Sequence, residues 1–404
     1  MENYTATSNH THGRRFKIGL LGRIAIAIAG GIVVGLIAPM WLAQILQTFN
    51  SIFSQFLGFM IPMIIVGFVA PAIADIGARA GKLLLATCAL AYGATFFAGL
   101  MSYFTGTAIF PSLIEGMEGL DSLQEGTLQV SPYFTVEMPP LMTVMTALVL
   151  AFMLGLGMAF LTGKALRHGM EEFRTIVART IDSVILPLLP IYIFGIFVIM
   201  TVVGQVSVVL NAFSKIIVVI FVLHVFILVL QYCIAACFNR RNPFTMLRTM
   251  LPAYFTALGT QSSAATIPVT LRQTLKLGVD EDVAGFTVPL CATIHMSGST
   301  LKIVACALAL TIMQGQPHDL SLFLHFIAML GVTIIAAPGI PGGAIMASLG
   351  LLSGILGFNE QSIALMIALY IAMDSFGTAC NVTGDGALAV ILNRFFAKKS
   401  MTTT

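Results

Sequence analysis

The chain has 404 residues, 58% of them hydrophobic and 9% charged, with a net charge of +3. An ordinary soluble domain carries about 25% charged residues, so a water-exposed surface cannot be built from this composition. The membrane is the expected solvent, and no nucleic-acid partner is expected.

Residues 1–17 read as a polar cytoplasmic tail ending in the basic cluster Arg14, Arg15 and Lys17. No small-residue cleavage pattern follows, so the next apolar stretch is expected to stay as the first span. Spans are predicted at 18–46, 52–75, 82–106, 141–163, 178–204 and 215–238. Runs such as Leu83 to Leu100, Ile185 to Val203 and Ile216 to Leu230 approach or reach the roughly 20 residues that cross a bilayer. With the amino terminus inside, cytoplasmic ends collect Arg79 and Lys82, then Lys164, Arg167, Arg174 and Arg179, then Arg240, Arg241 and Arg248, then Arg272 and Lys276, and finally Arg394, Lys398 and Lys399. Arg23, Lys215 and Lys302 alone fall elsewhere, which fits the positive-inside rule. Pro111 to Pro140 holds Glu115, Glu118, Asp121, Glu125 and Glu137 without Lys or Arg, and reads as an outside loop. The six cysteines, Cys88, Cys233, Cys237, Cys291, Cys306 and Cys380, lie in or beside apolar runs, where reduced thiols act as packing residues.

The second half is interrupted by Gly, Pro and Ser at membrane depth. Gly259 to Pro268 lies between two clusters placed on the cytoplasmic side. Pro338-Gly339-Ile340-Pro341-Gly342-Gly343 lies between flanks that belong outside. Each segment enters and leaves on one side, as a re-entrant hairpin does. Non-helical backbone at this depth needs protein or a water-filled cavity to satisfy it. Opposed broken segments are the best sequence pointer to a midplane binding site in a secondary transporter.

Between the hairpins, Thr287 to Ser299 reads as a helix interrupted at Ser297-Gly298, whose freed carbonyls and half-helix ends suit a cation and a carboxylate. In the last helix Asp374, Thr378, Asn381 and Asp385 are spaced i, i+4, i+7, i+11, all within about 40° of one line. A charge at the bilayer centre costs about 2.5–3.5 kcal/mol, so two carboxylates on one stripe must meet cations, protons or donors. Lys302 and His295 are the matching basic groups, seven residues apart and on nearly one face unless the break rotates them.

Here the chain resembles the dicarboxylate/amino acid:cation symporters, which include archaeal aspartate and mammalian glutamate transporters. Thr260-Gln261-Ser262-Ser263 with Pro268 is similar to the serine-rich tip of that family's first hairpin. Pro289 to Ser299 resembles its Pro-Leu-Gly-Ala-Thr-Ile-Asn-Met-Asp-Gly-Thr, Gly339 to Gly342 its second hairpin tip, and Asp374 to Asp385 its Asp-x-x-Arg-Thr-x-x-Asn-Val-Thr-Gly-Asp.

The resemblance implies an all-α membrane protein of about eight transmembrane helices plus two re-entrant hairpins. It implies a homotrimer in the plasma membrane, for a bacterium the inner membrane, with both termini cytoplasmic and an elevator-type motion. Residues 18–238 would be mainly scaffold and trimerisation helices, the third and sixth joining the transport domain. Residues 239–399 would be the transport core: hairpin 1 (about 244–273), broken helix (about 280–314), hairpin 2 (about 322–357) and last helix (about 361–398). By position Asp374 would bind a substrate ammonium, and Thr378 and Asn381 the α-carboxylate end. Gln261, Ser262, Ser263, Ser299, Gly339, Pro341 and Gly342 would line the substrate site. Asp385, Asn381 and the carbonyls near Cys291 and His295 would form a sodium site. No cofactor is implied.

Departures from the family pattern bear on the substrate. Gly377 stands where acidic-substrate members carry an arginine, and Gln261 where others place one, so bidentate recognition of a second carboxylate is lost. A small neutral amino acid such as serine, threonine or alanine is the first expectation. The alternative is an acidic amino acid or dicarboxylate held by Lys302 across the volume vacated at Gly377; Lys302 could instead pair permanently with Asp374 or Asp385. Ser297 and His295 replace an Asp and an Asn, hydroxyls are not evident around Thr87 to Ala91, and Ala336 and Ala337 replace small polar residues. Fewer coupled sodium ions are therefore expected, with His295 a possible proton site. A passive channel and a membrane-embedded enzyme are the rivals from other classes. No serine here has a nucleophile's strained-turn context.

Overall fold

Short-range chemistry sets the helices. Several hydroxyls inside apolar stretches bond back to carbonyls of their own helix, as Thr87 Oγ1 does to Leu83 (2.7 Å) and Thr311 Oγ1 to Ala307 (2.8 Å), so these need no outside partner in a bilayer. The computed structural model describes residues 19–78, 81–114, 130–335, 337 and 341–397, and these residues form helices and no strand. Arg14, Arg15, Lys17, Arg79, Glu115, Glu118, Asp121, Glu125, Ala336, Pro338, Gly339, Ile340, Lys398 and Lys399 lie outside the described residues.

The amino-terminal half comprises α1 (Leu20–Gly35), α2 (Met40–Ala78), α3 (Lys82–Ile114), α4 (Val144–Phe160), and α5 (Ala165–Thr180), which runs through a π-helical turn (Ile181–Ile185) into α6 (Leu186–Val202). The long α7 (Val206–Asn239) follows. Two pairs of helices, α8 (Pro243–Thr260) with α9 (Ser263–Lys276) and α12 (Leu320–Ile335) with α13 (Gly343–Gly354), are the hairpins. Between them run α10 (Glu281–Ile294) and α11 (Ser297–Met313), and the chain closes on α14 (Glu360–Ala372) and α15 (Asp374–Phe396). Among the described residues, five stretches are long and apolar enough to cross a bilayer: Met40–Asp75, Lys82–Ile114, Ala165–Val202, Val206–Asn239 and Glu281–Met313. Helices α14 and α15 together make a sixth, bent by 60°. Outward faces are apolar, with Val33, Ile37 and Trp41 on or beside α1 and Val218, Val222 and Val225 on α7 exposed.

Three breaks fall elsewhere than the sequence suggests. The first lies at 36–39 and not at 47–51, because Pro39 opens the next helix and disfavours helical geometry at the residue before it. The polar residues Thr48, Asn50 and Ser51 stay helical because they are buried: Thr48 Oγ1 bonds Gln44 O (2.7 Å) and accepts from Tyr133 N (2.9 Å), and Asn50 lies against Gly195. The second break is at His295-Met296, with Ser297 and Gly298 already helical. The third divides the expected last helix at Met373, so that Asp374 begins α15 where an acid complements the helix dipole.

The helices fall into two packing groups. α1 lies on α6, and α2 on α4, α5 and α6, with Arg167 of α5 paired to Asp75 of α2. In the other group α15 is enclosed by α7, α8, α9, α10 and α11, and α3 lies along α11. Almost every residue of α11 and of α15 as far as Leu392 is buried, which places the polar stripe in protein and not in lipid.

Candidate substrate and cation site

The stripe residues Asp374, Thr378, Asn381 and Asp385 are 3%, 6%, 4% and 1% exposed. Three of them are met by groups from α11, from the residues just before it, or from the second hairpin, and each meeting has a different chemistry.

At the start of α15, Asp374 Oδ1 accepts from Lys302 Nζ at 2.9 Å and Oδ2 accepts from the Gly342 amide at 2.7 Å. The same ammonium lies 3.4 Å from the Met373 carbonyl, 3.5 Å from that of Tyr370 and 3.5 Å from the Tyr370 ring centroid. Lys302 is fully buried. A buried pair offsets its desolvation only when further partners satisfy both ions, and here they do. A Cβ at Gly377 would fall 2.8 Å from Lys302 Nζ and 2.9 Å from its Cε, so the lysine occupies the space that residue 377 leaves.

About two turns onward, Asn381 caps the broken helix. Its Oδ1 accepts from Gly298 N (2.8 Å) and Ser299 N (3.3 Å), amides that the first turn of α11 leaves unpaired, and its Nδ2 donates to Ser299 Oγ (3.0 Å). Tyr370 OH also reaches Ser299 Oγ at 3.1 Å. The Gly298 carbonyl is 3.0 Å from His224 Nε2, and since a carbonyl only accepts, that nitrogen carries the proton. Gly298 must be glycine: a Cβ there would lie 2.6 Å from the Gly377 carbonyl oxygen.

At the far end His295 Nδ1 is 2.9 Å from Asp385 Oδ1. Gln231 Nε2 lies 3.4 Å from His295 Nε2 and 3.3 Å from Ser297 Oγ. One amide with two hydrogens serves both as acceptors, which leaves Nδ1–H donating to the carboxylate. Asp385 Oδ2 is buried without a partner, as is Gln231 Oε1. An orphaned carboxylate oxygen suits a hard cation. The Cys291 carbonyl expected beside it accepts the His295 amide at 2.8 Å and keeps a second lone pair. Among the described residues no cluster of three or more His, Cys, Asp or Glu could hold a metal, and all six cysteines are unpaired.

The hairpin tips carry the remaining expected residues. Gln261 adopts a left-handed φ of 55°, Ser262 caps α9 by accepting from Ala265 N (3.3 Å), and Ser263 is 9% exposed. Thr260 and Thr266 bond across this tip at 3.1 Å. Both α8 and α9 pack on α15. In the second tip Pro341 is half-buried and Gly342, at φ 78°, opens α13, while Gly339 is outside the described residues.

His295 and Lys302 serve different acids, Asp385 and Asp374, and so do not act as one basic face. Sequence reasoning did not single out Tyr370, Gln231 or His224 as site residues. Tyr370 stands four residues before Asp374, a spacing that carries the signal, and Gln231 is a lone amide at the end of an apolar run.

A family model described as the sodium:dicarboxylate symporter family matches residues 20–395. Among curated proteins the chain is similar to human excitatory amino acid transporter 2, 33% identical over 148 residues, which is 36% of this chain and 26% of that protein. It is 32% identical to human excitatory amino acid transporter 5 over 187 residues, 45% of this chain and 33% of the relative. An excitatory amino acid transporter of Caenorhabditis elegans is 31% identical over 163 residues, 39% of this chain and 31% of its own. The matches thus span a quarter to a third of these relatives' length.

Proposed function

Because the chain belongs to the sodium:dicarboxylate symporter family, we propose that this multi-pass membrane protein carries an acidic amino acid inward with sodium. The single observation that carries the reading is Lys302 lying in the side-chain volume of Gly377 while bonded to Asp374. An Asp and a cation side by side are the charge complement that an acidic amino acid needs. Its ammonium would take Asp374 and its side-chain carboxylate would take Lys302, while the α-carboxylate would meet Thr378, the Ser262–Ser263 tip and the α11 amides now capped by Asn381. The curated relatives are named excitatory amino acid transporters, which supports an amino acid as the cargo.

The competing reading is a small neutral amino acid, and it rests on the missing arginines at Gly377 and Gln261. Binding of labelled aspartate and serine to the purified protein in sodium separates the two. Lys302→Met is expected to weaken aspartate binding; unchanged aspartate affinity sinks the lysine's role in recognition.

Sodium is assigned to Asp385, whose Oδ2 has no protein partner, with carbonyls near Cys291, His295 and Asn381. The further proposals are a homotrimer in a bacterial inner membrane with cytoplasmic termini. In this reading α1, α2, α4, α5 and α6 form the static part, and the helices around α15 travel as an elevator. Counterflow distinguishes this from a channel, which does not exchange labelled for unlabelled solute.

A further inference from the structure

The Lys302–Asp374 pair does more than a substrate contact requires, because each ion is satisfied wholly by the protein. The carboxylate receives the ammonium on one oxygen and the Gly342 amide on the other. The ammonium donates to that carboxylate and to the Tyr370 and Met373 carbonyls at the break between α14 and α15, and it lies on the face of Tyr370. Carbonyls at a helix end, an acid and an aromatic face make a cation cage, and the cation in it is tethered to α11. Through Gly342 the same acid also joins α15 to the start of α13, the second arm of the second hairpin.

We infer that Lys302 is a resident counter-cation. It pairs with Asp374 whenever no substrate ammonium does, so that the cargo-free carrier is neutral at this acid, keeps its second hairpin latched through Gly342, and returns without carrying a cation out. This rests on the amino-acid site proposed at Asp374 and deepens it. When an amino acid binds, its ammonium replaces Nζ at Asp374, and Lys302 turns to the substrate's side-chain carboxylate. Charge is conserved in that exchange of partners. Without the lysine, the return step would have to move an unpaired buried carboxylate, while exchange, in which Asp374 is always loaded, would not.

The test reconstitutes the whole protein in liposomes and uses labelled L-aspartate at saturating concentration. Net uptake is measured into aspartate-free vesicles under an inward sodium gradient, and exchange with aspartate and sodium on both sides. For Lys302→Met, net uptake is expected to fall about tenfold or more, as a charge penalty above 1.4 kcal/mol requires. Exchange should fall much less than net uptake does, with a raised half-saturation concentration because the variant also loses a substrate contact. A parallel loss of both maximal rates makes Lys302 a substrate contact alone and overturns the inference while leaving the proposed function standing. Unchanged net uptake also overturns it. Parent protein that moves aspartate in neither assay refutes the proposed function itself. Should the methionine variant fail to assemble, Gly377→Ala decides, since its Cβ displaces the flexible end of Lys302 without removing the charge. The same selective loss of net uptake is expected, and unaltered net uptake overturns the inference.

Discussion

Lys302 and Asp374 stand 2.9 Å apart with side chains 0% and 4% exposed, so neither can fall back on water when the other is removed. Breaking such a pair from one side costs about 3–5 kcal/mol, whereas removing both partners is often close to neutral. Thermal unfolding in detergent should therefore show Lys302→Met and Asp374→Asn each lowering the midpoint, with the double variant less destabilised than the sum of the two. Additive losses would mean that the two side chains do not interact. At the other end of the stripe, Asp385 Oδ2 has no protein partner and is the proposed sodium ligand. Asp385→Asn is expected to weaken the stabilisation by sodium in a thermal-shift titration by about tenfold or more, as the loss of a charged oxygen ligand should. An unchanged sodium titration would place the ion elsewhere. His295→Asn in liposomes separates a packing histidine from a coupling one: sodium-driven uptake that persists without dependence on a proton gradient leaves His295 structural.

Among the elements, α11 depends most on groups outside itself. Its first-turn amides are capped by Asn381 of α15, and Gly298 allows the two backbones to meet. Gly298→Ala would press a Cβ to within 2.7 Å of Cys380 Cβ as well as onto the Gly377 carbonyl, and overpacking of this kind costs about 1–3 kcal/mol. A lowered unfolding midpoint together with lost substrate binding is the expected outcome, and a midpoint equal to the parent's would contradict the close approach. The hairpins were readable because Gly, Pro and Ser at membrane depth have few other uses. The breaks were harder to place. At 47–51, Thr48, Asn50 and Ser51 look like a loop until burial against Tyr133 and Gly195 is known, and Pro39 marks the actual turn. The break before α11 lies at His295 because Asn381 caps the first turn that begins at Ser297, and this partner is 83 residues from the Gly298 amide it accepts, where no local pattern reveals it. The choice of acid for Lys302 was open for the same reason, since it depends on rotation across that break and on the bend at Met373.

At the scale of the whole molecule, a polar helix is enclosed by apolar ones, and α15 can carry two carboxylates through a bilayer because five other helices and α3 shield it. The broad class was legible from 9% charged residues and from where the basic ones fall. Substrate class was not, because in the proposed reading it turns on one lysine whose position is set by tertiary packing. Assembly as a homotrimer is expected from the family reading. Native mass spectrometry or cross-linking of the purified protein should give a species of three chains, and a stable monomer that still transports would remove the trimer from the account.

The most direct measurement is uptake by proteoliposomes of labelled aspartate under an inward sodium gradient, with unlabelled serine, alanine and a four-carbon dicarboxylate as competitors. The expected result is sodium-driven aspartate uptake that excess serine and alanine leave intact. Uptake of labelled serine in the same vesicles with none of aspartate would contradict the assignment of Lys302 as the cation that replaces the missing arginine.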